Sequence, residues 1–551
     1  MKRASLWALT ALFAAAACAQ PGQGDNPAGG TPDAGMASLP DAGLTGVVPA
    51  IAVTCANTNM GRPLLRLLNR AEFDRTLSDV FPQLAPGQWT DSLPSATVSV
   101  HGFDNDNSAT VGNQLASALL DTALSVATAV TGTSLTTLLP CASSSADRTC
   151  AETFLTQYGR RLFRRPVTPA EHDRYLGFFD SAVAKSDFKT ALKWMTAGLI
   201  QSPNVVYRRE IGTDNGNGTR TLSAHEIAAE IAYTYTGSTP NDDLLAKADS
   251  GNLGDPVALA KTLLATDRGK EALQHFFEGY LGYTGVTSIQ KPNRPEFSGL
   301  SADMIQETRH FIDDVAFQKG GGLKDLLTAP STNPSQKLAQ YYLFPSPAGD
   351  YASIVRPSGR GIGILAQGSF LATHATSDSS SPTQRGLFAF SRLLCNAKPS
   401  PPPSVPQITP PQPGKVTTRQ RYEQQHASGG ACATCHKLWD PIGFGFEHYD
   451  ETGRYRPDEN GLAIDSSAAV PNLDGTPLFT FADEEHLVSG LAAQPVSYQC
   501  FAGYLATYAF GTDEACLGAG TVAGMQSGSM GIASAFAALA GTPHFTQRSS
   551  Q

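Results

Sequence analysis

The sequence predicts a mainly α-helical, multi-domain chain, and three observations carry that expectation. Apolar residues recur at helical spacing across most of the stretch from Arg62 to Ala540. Helix starts are marked by capping signals, as in Thr168-Pro169-Ala170-Glu171 and Ser223-Ala224-His225-Glu226. Strand-type patterns are confined to short runs beside turn-rich loops. The expected architecture is a helical body with a small β-hairpin, then a segment carrying a C-x-x-C-H motif behind a polyproline connector, then a C-terminal helical region. With 551 residues there is chain for roughly two to four domains with cores of their own.

Met1-Lys2-Arg3 precedes an apolar run from Leu6 to Ala17, and Cys18 follows. The run is too short for a permanent membrane helix and reads as an export signal over 1–18. Ala15-Ala16-Ala17 ahead of Cys18 is similar to a lipoprotein signal, which makes Cys18 the expected lipidated residue. The usual Leu three positions before the cysteine is Ala15 here, so ordinary cleavage near Ala17 or Ala19 is the alternative. Residues 19–54, rich in Gly, Pro, Ala and Asp, have no hydrophobic period and are expected to be a disordered tether. The net charge of −9 becomes about −11 when Lys2 and Arg3 leave with the signal. Such a surface argues against nucleic acid as a partner.

An N-terminal helical domain is expected over 55–145. Its first helix runs from Arg62 to Phe81 with a break near Asn69, and a second from Gln114 to Val130. A second helical domain covers 146–212. Its Thr149–Phe163 helix ends in Arg160, Arg161, Arg164 and Arg165, expected to form a solvated, dipole-favoured helix end. Thr168 caps the next helix, and Ser186–Leu199 continues the pattern. Val205–Ile211 and Thr219–Leu222 flank a Gly/Asn-rich turn and read as a hairpin. A central helical domain over 213–345 follows, with helices near 242–248, 256–265, 270–281 and 302–317. His172, His225, His275 and His310 fall in helices without a metal motif and are expected at surface or packing positions. No G-x-S-x-G, P-loop or dinucleotide fingerprint occurs, and Gly359-Arg360-Gly361-Ile362-Gly363 is at most a turn signal.

The segment 346–490 contains the motif. Lys398–Pro413 is proline-dense and must be an extended connector. It leads through Thr417–His426 to Cys432-Ala433-Thr434-Cys435-His436. Two thiols three residues apart share one side of a helical turn, where both can add to the vinyl groups of one porphyrin, and the adjacent histidine can ligate its iron. The plainer readings are a Cys432–Cys435 disulfide or half a zinc site, although no second C-x-x-C or spaced His pair accompanies it. A second axial ligand is open among Met525, Met530, His426 and His448, and a five-coordinate iron is also compatible. The chain closes with a helical region over 491–551.

Nine cysteines are present. Setting aside Cys18, Cys432 and Cys435 leaves an even set for an exported chain: Cys55, Cys141, Cys150, Cys395, Cys500 and Cys516. Proximity in sequence favours Cys141–Cys150 and Cys500–Cys516, leaving Cys55 with Cys395.

Several stretches together resemble a known family: LNRAEFDRTLSDVF from Leu68, YGRRLFRRPVTPAE from Tyr158, QSPNVVYRRE from Gln201 and LSAHEIAAEIAYTYTGSTPNDDLL from Leu222. SPTQRGLFAFSRLLC from Ser381, RYEQQH from Arg421, CATCHKLWDPIGFGFEHYDETGRYR from Cys432 and CFAGYLATYAFG from Cys500 continue the series in matching order. The chain resembles the exported multi-domain proteins of planctomycetes and myxobacteria that carry a cytochrome-c-like C-x-x-C-H motif among domains of unknown function. The resemblance implies a helical body, export, a cytochrome-c-like segment and covalent haem c at Cys432, Cys435 and His436; His426 also matches the family's pattern. It implies no known reaction. The leading expectation is a periplasmic or cell-surface haem c protein, lipid-anchored, that passes single electrons to a redox partner the sequence does not name. The alternatives are a haem-dependent oxidoreductase with an open iron, and a surface-anchored binding or structural protein without haem.

Overall fold

The computed structural model describes residues 60–550, apart from short stretches at 86, 88, 96–97, 100, 106–108, 133–134, 400–415, 427–430 and 513–518, and also the pair 47–48. The expected signal over 1–18 with Cys18, most of the tether, Cys55, Cys516 and most of the proline-dense connector lie outside the described residues, as does the Cys432 side chain.

Helices dominate, and strands occur only as short antiparallel pairs or a three-stranded set, so the chain is mainly α as the sequence predicts. It forms two compact units, each assembled from stretches that are not consecutive. The first holds Tyr283–Ile312 and Lys324–Ser497; the second holds Ile51–Gly282, Asp313–Leu323 and Tyr498–Gln551.

In the second unit the capping signals act as read. Thr168 and Ser223 each close a capping box, with Glu171 and Glu226, and start the helices Pro169–Val183 and Ala224–Thr236. The Arg165 guanidinium beside Glu171 holds that carboxyl down at about 2 against the opposing pull of burial. Helix Asn113–Val130 lies along helix Phe188–Ile200, and their apolar faces join Phe73, Leu77, Phe154 and Phe179 in one core.

Three expectations need correction. Leu64–Leu67 is not helical but a strand, antiparallel to Tyr207–Glu210. Its leucines favour helix by propensity, and the cross-strand pairing overrides that weak preference. Consequently Tyr207–Glu210 does not pair with Thr219–Leu222. Thr219–Thr221 instead lies between Thr213–Asp214 and the distant Gln547–Ser549. The arginine cluster, thirdly, is not a solvated helix end. Arg164 is buried and donates to the Val205 and Tyr207 carbonyls and the Tyr233 hydroxyl, and Arg161 donates to the Asp79 carbonyl. Arg160 pairs with Asp249. A positive φ of 59° at Arg164 ends the helix and turns that side chain inward.

The four helical histidines take packing roles: His172 bonds Glu152, His225 bonds Asp249, His275 bonds Asp104 and His310 stacks on Tyr351. Cys141 and Cys150 form the expected disulfide. Cys395 and Cys500 are also disulfide-bonded, though not in the pairings expected through Cys55 and Cys516. Loop-closure entropy grows slowly with separation, so nearness in sequence is a weak guide to long-range pairs.

Candidate functional site

The C-x-x-C-H run lies in the first unit, at the start of the Ala431–Phe444 helix. That helix contains Pro441, which cannot donate back to the Lys437 carbonyl, and it ends three residues later at Phe444, before the chain bends through Phe446 to Tyr449. Its main neighbour is the Pro382–Phe388 helix. Glycine makes their close approach possible. A Cβ on Gly386 would run into the Trp439 carbonyl, and one on Gly443 into the Pro382 carbonyl. Arg385, on the same helix and fully buried, donates to the carbonyls of Phe446, Tyr449, Leu371 and Asp450, and so ties down the turn after the motif helix.

This contact delivers Thr383 to the centre of the site. Asp440, one turn beyond His436, accepts hydrogen bonds from Thr383 Oγ1 at 2.6 Å, from His436 Nδ1 at 3.1 Å and from His426 Nδ1 at 2.5 Å. His426 comes from the end of the separate Thr418–His426 helix. All three residues are buried. Burial pushes the Asp440 carboxyl up, but the hydrogen bonds from His426 and His436 outweigh it and hold the group below the usual carboxylate range. An ionised carboxylate serving two imidazoles fixes Nδ1 as the protonated nitrogen of each and leaves Nε2 as the lone-pair donor. Among the described residues the buried His426 Nε2 has no hydrogen-bond partner. Trp439 packs edge-on to His436 and to Phe390, giving the site an apolar wall.

Cys435 is a free, half-buried thiol, and burial pushes its pKa up, keeping it protonated. Of the expected ligands, the structure brings His436 and His426 together. Their ring centroids are 3.7 Å apart at 36°. His448 is elsewhere, donating Nδ1 to the Arg456 carbonyl and stacked on Tyr455. Met525, buried, and Met530, half-buried, belong to the second unit.

A c-type haem would draw on His436 and the two cysteines before it. Two cysteines at the attachment spacing precede an imidazole whose Nδ1 is held by a carboxylate, the outer-shell arrangement that metal-ligating histidines adopt. Such a haem fits poorly with His426 on the opposite face. Two imidazoles on one iron need ring centroids roughly 6 Å apart, from metal–nitrogen bonds of about 2 Å. At 3.7 Å there is no room for a porphyrin plane between them. The same atoms suit a bare ion, since His426, His436 and Asp440 each offer a ligand atom and these lie within 4.8 Å of one another.

Four family models match along the chain. They are PSD3, a protein of unknown function (DUF1587), over residues 66–132, PSD5 (DUF1595) over 150–210, PSD4 (DUF1592) over 222–343, and PSCyt3 (DUF1588) over 360–459. The chain carries four domains of unknown function. The PSCyt3 domain contains the whole candidate site, from Thr383 to Asp440, and the other three account for the helical stretches before it. No curated protein and no solved structure matches the chain.

Proposed function

We propose that the chain is an exported haem c protein whose PSCyt3 domain exchanges single electrons with a redox partner. One observation carries the reading. The histidine of the C-x-x-C-H run has its Nδ1 committed to a buried carboxylate, so its Nε2 is left for a metal. Cys432 and Cys435 would hold the porphyrin and His436 its iron. When bound, the haem supplies a one-electron Fe(III)/Fe(II) couple. Asp440 orients His436 and, by drawing on its Nδ1 proton, raises the donor strength of Nε2, which favours the ferric form. Thr383 holds Asp440 in place, and Trp439 with Phe390 keeps water from the imidazole. Disulfides accord with an oxidising compartment, and no helix among the described residues is long and apolar enough to cross a membrane. Lipidation at Cys18 would supply the attachment to a membrane.

A second reading rests on the His426–His436–Asp440 cluster. Two imidazoles and one carboxylate are the residue types of the facial set of mononuclear iron sites, and here they would take an ion where the Nδ1–Asp440 hydrogen bonds give way to it. One experiment separates the two. The chain is expressed in a periplasm equipped for haem ligation, and the visible spectrum of the reduced protein is recorded together with haem retention on a denaturing gel and metal content. A c-type band with haem retained on the gel is expected, and Cys432→Ala or Cys435→Ala should weaken or abolish retention. Stoichiometric non-haem iron or zinc without a haem band would establish the second reading. Rapid reaction of the loaded protein with carbon monoxide or peroxide would point to an oxidoreductase with an open iron in place of electron transfer.

A further inference from the structure

The second unit contains a charged cavity that neither reading of the motif uses. Arg66 and Arg208 stand directly opposite each other in the antiparallel pair of Leu64–Leu67 with Tyr207–Glu210. Both are almost wholly buried, 4% and 1% exposed. Like charges opposed across a ladder repel, and a low local dielectric deepens the repulsion. Arg208 is compensated, with Glu210 at 2.9 Å and Glu230 at 3.0 Å. Glu210 also takes Arg548, at 2.6 Å.

Arg66 has no such direct partner, and Glu210, Glu230 and Glu72 attract it only from farther away. Among the described residues no carboxylate lies within ion-pairing distance of it, and its guanidinium makes one hydrogen bond, from Nη1 to the Ala509 carbonyl at 3.0 Å. Three buried arginines (66, 208 and 548) face two buried glutamates (210 and 230), with Glu72 acting on Arg66 and Arg208 from farther away. Burial pushes Glu230 up, so its share of the negative charge fades as pH falls. Burial and the neighbouring Arg208 lower Arg66 from its ordinary value by more than Glu210, Glu230 and Glu72 raise it.

Arg66 and Arg208 line a cavity of about 50 Å³, with Arg75 and His275 also on its wall. Burial works against the His275 proton, but Asp104 and Glu278 outweigh it and raise the group to about 10, so it is a cation at neutral pH. The two acids on the wall are already engaged. Asp104 accepts from His275 at 3.0 Å and from Asn69 at 3.3 Å, and Glu72 closes the capping box on the Asn69 backbone N–H at 2.9 Å. Arg75 pairs with Glu271, Arg208 with Glu210 and Glu230, and His275 with Asp104 and Glu278, so among the described residues Arg66 is the wall cation without a direct carboxylate partner. A single water needs roughly 10–15 Å³ by the same measure. The space therefore suits a group of a few heavy atoms and excludes a nucleotide or a sugar.

We infer that this cavity binds a small oxyanion, either inorganic phosphate or the carboxylate of a small acid, with the Arg66 guanidinium as its principal partner. The planar fork of an arginine matches either group with two parallel hydrogen bonds. Site and charge come from residues 66, 75, 208 and 275, so the ligand would sit among three of the four domains of unknown function.

The test is calorimetric titration of the full chain with phosphate and, separately, with acetate at fixed ionic strength. Saturable binding of at least one is expected, and the tighter of the two names the class. Arg66→Met should weaken it by about 30-fold or more, as for truncating one partner of a buried charge pair, while leaving the anion-free protein no less stable, because a buried cation without a direct carboxylate partner has been removed. Arg75→Ala, at a partly exposed position paired only with Glu271, should weaken binding several-fold and serves if Arg66→Met does not fold. No saturation with either anion would mean the cavity holds only water and would overturn the proposal. Wild-type affinity in Arg66→Met, or in Arg75→Ala if the first variant is lost, would do the same.

Discussion

Each unit buries a cluster of charged and imidazole side chains, and the two clusters are built in opposite ways. In the first unit Asp440 and His436 are one helical turn apart, His426 is ten residues upstream of His436, and a second helix adds Thr383 through a glycine-lined contact. Local spacing does most of the placing. In the second unit Arg66, Arg208 with Glu210, Glu230 and Arg548 come from four separate stretches across nearly the whole chain. Only tertiary structure assembles them. A compact, locally encoded cluster can be moved as a piece and carries recognisable chemistry. A dispersed one ties remote parts of the chain together, and its loss is felt as instability.

That contrast predicts a ranking of effects. Arg208→Met should be the most damaging, costing about 3–5 kcal/mol in denaturant unfolding, because it strands Glu230 in the interior and leaves Glu210 with Arg548 alone. Replacing Glu230 by Met at the same time, which leaves Glu210 paired with Arg548, should return most of the loss; if it does not, the network is more than a set of mutually compensating charges. Gly443→Ala should cost about 1–3 kcal/mol by forcing the Pro382–Phe388 helix off the motif helix. It should also weaken the hold of Thr383 on Asp440, so that haem or metal retention falls with stability. Retention unchanged in a destabilised Gly443→Ala would break the link between helix approach and site geometry.

A third test concerns pH. Glu484, buried in the first unit, is raised by that burial from 4.5 to about 8 despite the hydrogen bond it accepts from the Ile362 N–H. The folded chain then keeps a proton that the unfolded chain releases, so this group's contribution to stability falls as pH rises from about 4.5 to about 8. Glu484→Gln should flatten the stability–pH curve of the protein over that window relative to wild type, measured by urea midpoints. A parallel curve would show the carboxyl to be ionised when folded. The smallest effect is expected at Thr168→Ala, about 1 kcal/mol, the usual worth of an N-cap.

Much of the helical layout was legible because its signals are local. Asn69, Thr168 and Ser223 cap helices where their side chains and the Glu three residues on say they should. The C-x-x-C-H run was legible for the same reason. Asp440 was not singled out, although its i,i+4 relation to His436 in CHKLWDP was on view; the spacing is common on helices and gains meaning only when burial is known. Thr383 had no sequence signal, since it reaches the site through an interhelical contact. Leu64–Leu67 misled because a leucine-rich tetrapeptide takes its conformation from its partner, and the partner lies some 140 residues away. The burial of Arg164 was hidden likewise, since its acceptors are the carbonyls of another segment. A reading in chain order also has no means to express units made of interleaved stretches.

The strand Gln547–Ser549 closes against Thr219–Thr221, and Arg548 between them reaches Glu210 with no exposure to solvent. This imposes a schedule on a chain made from its N-terminus. Glu210 waits for its second arginine until more than 330 further residues have followed, so the second unit passes through a long interval in which its ion network is half built. A chaperone that delays compaction would find its work done only when those last residues arrive, and a protease that removed the final strand would undo packing laid down hundreds of residues earlier.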